Sequence, residues 1–249
     1  LHVTTDGIVV KQTAMQENSR LLTILTKKHG LISAYQNGVK SLKGKGMSNV
    51  DLLSYSRFVL FHAKEKYVVD TADSLHVFFK IRGDLGKLSL ASYFAELCAQ
   101  LAPRREQAHE FLRLMLNTLY LLEEDRRPLL FLKAVFELSA LSLAGYMPNL
   151  VGCRVCGSYH REQMYFSVRD GELICSVCLQ NHAPDLRPVS AGVLHAMRHI
   201  LYADREKLFS FALPDDALRE LSGITEAFMI YQTGQKLRTL DFLKSVLDV

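Results

Sequence analysis

The chain is sparing in backbone breakers. Its 249 residues include 14 glycines and 6 prolines, too few for a collagenous, low-complexity or disordered chain. It lacks an uninterrupted apolar run of the roughly 18 residues a membrane helix requires, so no membrane partner is expected. No basic-then-apolar signal segment opens it. That makes a disulfide framework a weaker reading of its five cysteines than a metal site. No single sign of charge dominates, with 30 Lys/Arg against 26 Asp/Glu. What remains is a globular composition, 49% apolar and 22% charged, of a length that suits about two domains.

Catalytic constellations are also lacking. Gly38-x5-Gly44-Lys45-Gly46 is one residue too long for a phosphate loop and has glycine where the magnesium-binding hydroxyl belongs. Gly83-Asp84-Leu85-Gly86-Lys87 does not fit either, and His109-Glu110 is followed by Arg113 where a zinc-protease helix needs a second histidine. The Glu123-Glu124-Asp125-Arg126-Arg127 run reads as a solvated helix end. No ATPase, nuclease or glycosidase pattern is present, and the expectation is a protein that is not an enzyme.

The small charge excess is unevenly placed. Residues 1–80 carry 11 basic and 6 acidic side chains, a net +5, and residues 81–249 carry 19 and 20, a net −1. The first third is therefore the part suited to a polyanion.

That third also has strand patterning. Short β-branched runs occur at 7–11, 20–26, 31–35, 58–61 and 67–69, the last two separated by a hairpin-sized gap. Five strands in about 75 residues suit a small barrel, most commonly an OB-fold, with an SH3-like barrel close in strand count. Between the third and fourth strands, residues 37–46 hold three lysines and three glycines and read as an exposed loop.

After residue 80 the period turns helical. Leu90, Phe94, Leu97 and Leu101 mark one helix, and Phe111 to Leu122 a second. Leu129 to Ala144 is apolar nearly all round and reads as a central helix ended by Gly145 and Pro148. Ser190 is placed to cap a helix through Ile200, and the tail from Asp215 to Leu247 holds one or two more, with Gly223 and Gly234 as possible breaks. Cys98 lies among Leu97, Leu101 and alanines and reads as a buried, inert thiol. The expected fold class is α+β, an N-terminal five-stranded OB-fold barrel followed by a helical domain with an inserted four-cysteine zinc-ribbon-like module. The expected boundaries are 1–78 for the nucleic-acid-binding domain, 79–249 for the helical domain and 149–183 for the module.

The most specific signal is Cys153-x2-Cys156-x18-Cys175-x2-Cys178. A two-residue gap lets both sulfurs of a knuckle reach one ion, and two knuckles supply four thiolates. Gly157 follows the first knuckle, and Asp170-Gly171 between two strand-like runs is a hairpin signal that returns Cys175 toward Cys153. Four protein ligands close the site, so one structural zinc ion is expected rather than a hydrolytic one. Iron–sulfur binding and disulfide or redox chemistry remain as alternatives. Such a zinc adds on the order of 10 kcal/mol to folding.

The candidate DNA-binding residues are basic positions on the barrel: Arg20, Lys27, Lys28, Lys40, Lys43, Lys45, Arg57, Lys64 and Lys66. Oligonucleotide-binding barrels grip the backbone with such loops and stack bases on rings. Tyr35, Tyr55, Phe58, Phe61 and Tyr67 are the available rings, and Tyr35 and Tyr55 are the preferred stacking candidates. Phe58 and Phe61 cannot both face outward from one regular strand.

With these residues in hand, the chain resembles the RecO family of bacterial recombination-repair proteins. Residues 17–31, the Gly38-Val39-Lys40 loop, Ala144-Gly145-Tyr146-x-Pro148, Cys153-x2-Cys156-Gly157, Phe166-Ser167 and Gly171-Glu172-Leu173-Ile174-Cys175 occur in that family's order. The resemblance runs essentially the whole length. It implies an OB-fold, a helical domain bearing the zinc module, and cytoplasmic location with nucleoid association during repair. It implies single- and double-stranded DNA, RecR and single-strand-binding protein as partners. The implied activity is annealing of complementary strands, including coated ones, and assistance with RecR in loading the RecA recombinase. The implied metal ligands are Cys153, Cys156, Cys175 and Cys178. The loop here carries lysine and glycine where the family more often has arginine, which implies less geometric phosphate contacts. The alternative is a zinc-ribbon nucleic-acid or protein interaction module serving as a transcription or translation accessory. A metal-dependent enzyme with an unrecognised site is a further rival, opposed by the four-cysteine ligand set.

Overall fold

The computed structural model describes residues 2–15, 19–36, 47–63, 66–104, 106–179, 185–235 and 237–247. The elements run β1 (His2–Ala14), β2 (Arg20–Thr26), β3 (Gly30–Gln36), β4 (Ser54–Ala63), β5 (Lys66–Val77), α1 (Phe79–Arg82), α2 (Leu85–Leu101), α3 (His109–Glu123) and α4 (Leu129–Leu143). They continue with β6 (Asn149–Cys153), β7 (Met164–Ser167), β8 (Glu172–Cys175), β9 (Leu186–Val189), α5 (Ala191–Tyr202), α6 (Asp215–Thr233) and α7 (Arg238–Leu247). The chain forms two compact units, Leu1–Arg126 with Leu237–Val249, and Arg127–Lys236. No helix among the described residues is long and apolar enough to cross a membrane.

In the first unit, alternation along the strands sends Leu22, Ile24, Ile32, Ala34, Phe58, Leu60 and Val69 inward with Val9 and Val50 to make one core. The strands neighbour one another in the order β1-β2-β3-β5-β4, and β4 returns to β1. Four of the five seams are antiparallel. The fifth joins β3 to β5 in parallel, with Ala34–Tyr67 and Tyr35–Val68 paired among the described residues. A register shift at Val9/Lys11 bends β1 where it leaves β4. Against the strands packs α2, which also meets α7. The Asp84 side chain caps α2 by accepting from the Lys87 N–H at 2.9 Å. Its buried Leu90, Phe94, Leu97 and Cys98 fall at the spacing of one helix face. Cys98 is fully buried, and burial pushes its thiol far above the ordinary range, which makes it inert.

In the second unit, α4 packs on α5 and α6. As its composition predicts it is central, yet it also buries a charge cluster. Lys133 Nζ lies 2.9 Å from Glu137 and 2.9 Å from Glu226, and the Thr225 hydroxyl donates to Glu137 at 2.6 Å. The run from Asp215 passes unbroken through Gly223 and ends at Gly234, whose left-handed φ of 62° caps α6. Ser190 occupies the N-cap of α5 without a side-chain cap bond.

The expected fold class needs correction. An α+β composition is present, but not as a regular OB-fold barrel followed by one helical body. The cysteine-bearing strands form a separate, open four-stranded sheet, β6-β8-β7-β9, not closed into a barrel. The helices also divide: α1, α2, α3 and α7 belong with the first strands, and α4, α5 and α6 belong with the cysteine sheet. Local periodicity marks each helix but carries no information about which neighbour its apolar face meets.

Candidate metal centre and nucleic-acid interface

The cysteine site is built by two strand ends. Cys153 closes β6 and Cys175 closes β8, each followed by a tight turn that carries the second sulfur of its pair. The Gly157 N–H donates to the Cys153 carbonyl at 2.8 Å, and the Cys178 N–H to the Cys175 carbonyl at 3.0 Å. Gly157 takes φ 71°, a conformation that glycine tolerates best. β7 pairs antiparallel with β8 across Asp170-Gly171, from Met164–Cys175 to Ser167–Glu172, as that turn signal predicts.

All four sulfurs lie within 4.8 Å of one another, and Cys156 Sγ is 3.8 Å from Cys175 Sγ. Tetrahedral ligation with metal–sulfur bonds near 2.3 Å places sulfurs about 3.8 Å apart, so the set fits one ion. All four are free of disulfides. The Ser158 hydroxyl, with its backbone N–H, holds the Cys156 thiol down to about 6. The sulfurs of Cys156 and Cys175 push Cys178 up to about 12. Four crowded sulfurs resist carrying four negative charges together, and a divalent cation relieves that repulsion.

Support for the first knuckle comes from α5. Arg198, 7% exposed, donates through Nε to the Leu150 carbonyl at 2.8 Å. Its Nη2 donates to the Tyr159 carbonyl at 2.8 Å and to the Val151 carbonyl at 3.4 Å. Its guanidinium stands 3.8 Å from the centre of the Tyr159 ring, and the Tyr202 hydroxyl accepts from the Leu150 N–H at 3.1 Å. On the outer side, Arg154 pairs with Asp170 at 2.7 Å and Glu172 at 3.6 Å.

The basic positions of the first unit fall into different environments. Lys27 and Lys28 are exposed in the β2–β3 turn. Lys66 opens β5, its ammonium 5.8 Å from the centre of the Tyr35 ring. Arg20 pairs with Asp51 at 3.2 Å. Arg57 faces Asp6 across β1–β4 and pairs with it at 2.8 Å, and that hydrogen bond raises its pKa. Tyr35 and Tyr55 are both half-buried, and Tyr55 is pushed up by burial and by the nearby Asp6. Lys40, Lys43, Lys45 and Lys64 lie outside the described residues. Of the remaining rings, Phe58 is core and Phe61 is exposed beside His2, which agrees with the strand argument.

A groove of about 450 Å³ runs beside β3, lined by His29, Leu31, Ile32, Ser33, His62, Tyr67 and Arg104. His62 and Tyr67 face each other across the β4–β5 hairpin and stack, centroids 4.4 Å apart and planes 19° from parallel. Arg104 is exposed, and its backbone forms an antiparallel bridge with Gly30. The fit is close: Gly30 has φ 61°, and a Cβ there would lie 2.2 Å from the Pro103 carbonyl oxygen. His62, Arg104 and His29 were not among the sequence candidates. Cross-strand register pairs His62 with Tyr67, and a glycine-dependent chain contact brings in Arg104.

Comparison with known proteins bears on both halves. Residues 1–78 match the family described as Recombination protein O N terminal, and residues 82–241 match Recombination protein O C terminal. The chain is 35% identical over 246 residues to the DNA repair protein RecO of Acetivibrio thermocellus, covering 98% of this chain and 97% of that one. It is 29% identical over 247 residues to the DNA repair protein RecO of Alkaliphilus metalliredigens, covering 98% and 99%. A third such protein, from a Thermoanaerobacter species, is 27% identical over 244 residues, covering 97% of each.

Proposed function

The chain belongs to the RecO family and is not an enzyme, and from that premise we propose that it is a DNA-binding mediator of recombinational repair that anneals complementary single strands. The observation that carries the reading is the match of both halves of the chain to one repair family. The finer reading includes strands coated by single-strand-binding protein, RecR as a partner in loading the RecA recombinase, and a cytoplasmic, nucleoid-associated location. We assign DNA contact to residues 1–78, with Arg20, Lys27, Lys28, Lys40, Lys43, Lys45, Arg57, Lys64 and Lys66 as phosphate-facing positions and Tyr35 and Tyr55 as stacking rings. Residues 79–249 form the remainder, with a module at 149–183 in which Cys153, Cys156, Cys175 and Cys178 hold one structural zinc ion. Four thiolates and the sulfur spacing support that choice.

The physics of annealing asks little beyond this. Complementary strands repel through their phosphates, and a basic surface replaces their condensed counterions and lowers that repulsion. Loose backbone contacts leave base edges free to pair, after which the duplex is released. Lys27 and Lys28 are exposed and suit such contacts. No bond is made or broken, and no nucleotide hydrolysis is required.

The test mixes the protein, without ATP, with two complementary labelled strands precoated by single-strand-binding protein, at two salt concentrations. Acceleration of duplex formation that weakens with salt is expected. An annealing rate unchanged by saturating protein refutes the mechanism.

A further inference from the structure

The groove beside β3 has a chemistry of its own. Two stacked rings, His62 and Tyr67, form one wall, and His29 and the exposed Arg104 supply the donors. No carboxylate is among its lining residues, and no carboxylate of the described residues pairs with Arg104. A flat aromatic wall beside cationic and imidazole donors selects a ligand that is planar at one end and anionic at the other. The volume of about 450 Å³ lies within the roughly 300–1,000 Å³ of small-ligand sites.

Resting on the DNA-binding reading above, we propose that this groove takes one unpaired nucleotide of a single strand, its base against His62 and Tyr67 and its phosphate against Arg104 and His29. The choice of a nucleotide within a strand follows from placement. The groove begins at the turn that carries Lys27, Lys28 and His29, so phosphates on one side of the bound nucleotide meet exposed lysines. A base held in a duplex cannot offer a free face to the rings, so the groove distinguishes single strands from paired ones. The groove itself holds one base and leaves its neighbours in the strand free to find their complements. Tyr67 also packs against the strand core, which fixes the platform in place before DNA arrives.

The experiment measures binding of the full chain to a labelled single strand of thymidines and to a strand of the same length made wholly of abasic sites. Stacking of a base on a ring is worth about 1–3 kcal/mol, which at 1.4 kcal/mol per decade is a preference of roughly 5- to 140-fold for the strand with bases. His62→Ala and Tyr67→Leu should each lower that ratio by about fivefold or more and leave abasic-strand binding unchanged. Arg104→Gln should weaken both strands alike and reduce the salt slope by about one. Circular dichroism matching the wild type establishes folding, and His62→Ala carries the test if Tyr67→Leu does not fold. An unchanged ratio in His62→Ala, or a wild type that binds both strands equally, overturns the groove proposal alone. A wild type that binds neither strand overturns the DNA-binding reading itself.

Discussion

Replacing Arg198 by methionine tests the idea that α5 holds the first cysteine knuckle in shape. The substitution keeps an unbranched apolar stem and removes the guanidinium, so the packing of the stem is largely preserved. Three carbonyls lose their donor: Leu150 and Tyr159, each at 2.8 Å, and Val151 at 3.4 Å. Leu150 is fully buried, so its carbonyl loses a charge-assisted bond worth about 1.5–3 kcal/mol with no water to replace it. Tyr159 and Val151 are exposed, and water takes over much of what they lose. The lost contact with the Tyr159 ring adds about 0.5–2 kcal/mol. The expected total is about 2–5 kcal/mol of local stability, from the sum of those two terms.

Leu150 lies in the strand that ends at Cys153, so this loss reaches the four-sulfur site. Supporting contacts of this kind typically change metal affinity by roughly 10- to 100-fold. Competition with a chromogenic chelator, starting from zinc-loaded protein, measures that change, and urea denaturation measures the stability. Arg154→Met is the control. Its ion pair with Asp170 is partly exposed on both sides, and such pairs contribute about 0–1 kcal/mol. Equal zinc affinity and an equal urea midpoint in Arg198→Met and wild type would refute the clamp.

Lys133→Met should destabilise the second unit by about 3–5 kcal/mol, because it takes the lysine from the buried Glu137 and the partly buried Glu226; adding Glu137→Gln and Glu226→Gln should restore most of the urea midpoint. Burial works against the Lys133 charge, but Glu137 and Glu226 outweigh it and raise its pKa. The cluster's contribution is therefore complete below the unfolded lysine value of about 10.4 and fades as pH rises beyond it toward the folded value, which a denaturation series across alkaline pH would show. Gly30→Ala forces a left-handed φ on a residue with a Cβ, at about 1–2 kcal/mol, and pushes against the Pro103 carbonyl; a lower melting temperature with weakened single-strand binding is expected, and unchanged binding would show that Arg104 keeps its position without this contact. Cys175→Ser, or chelation, should lower the second unit's melting temperature, while single-strand binding at fixed salt changes by less than about twofold, since backbone contacts dominate that affinity.

Features encoded within a few residues were legible in the sequence, and features made by long-range register were not. Two-residue cysteine spacing and the Asp170-Gly171 turn are local instructions, so the convergence of four sulfurs follows from them directly. The helix at Leu129 was equally visible, because its apolar residues leave no solvent face. Lys133 and Glu137, one turn apart within it, look like an ordinary exposed pair until Glu226 arrives from α6. The His62–Tyr67 stack depends on the register of β4 against β5. Arg198 stands 45 positions beyond Cys153, and nothing in the composition of α5 marks it as the residue that grips the knuckle. Strand extent was underestimated for a related reason: β4 and β5 run well past their apolar centres, because cross-strand pairing carries polar residues into the ladder.

The distribution of spent and unspent charge separates the roles of the two units. In the cysteine module Arg154 pairs with Asp170 and Glu172, Arg198 bonds three carbonyls, and Arg169 lies beside Asp170. In the first unit Lys27, Lys28 and Arg104 are exposed and carry no ion pair among the described residues. Counterion release requires cations that are free to meet phosphate, because a cation already paired must first give up its carboxylate. The proposed DNA binding therefore draws its salt dependence from the first unit. The closed four-sulfur site, with its ligands held by strand ends and an arginine clamp, has the construction of a folding element rather than a contact surface.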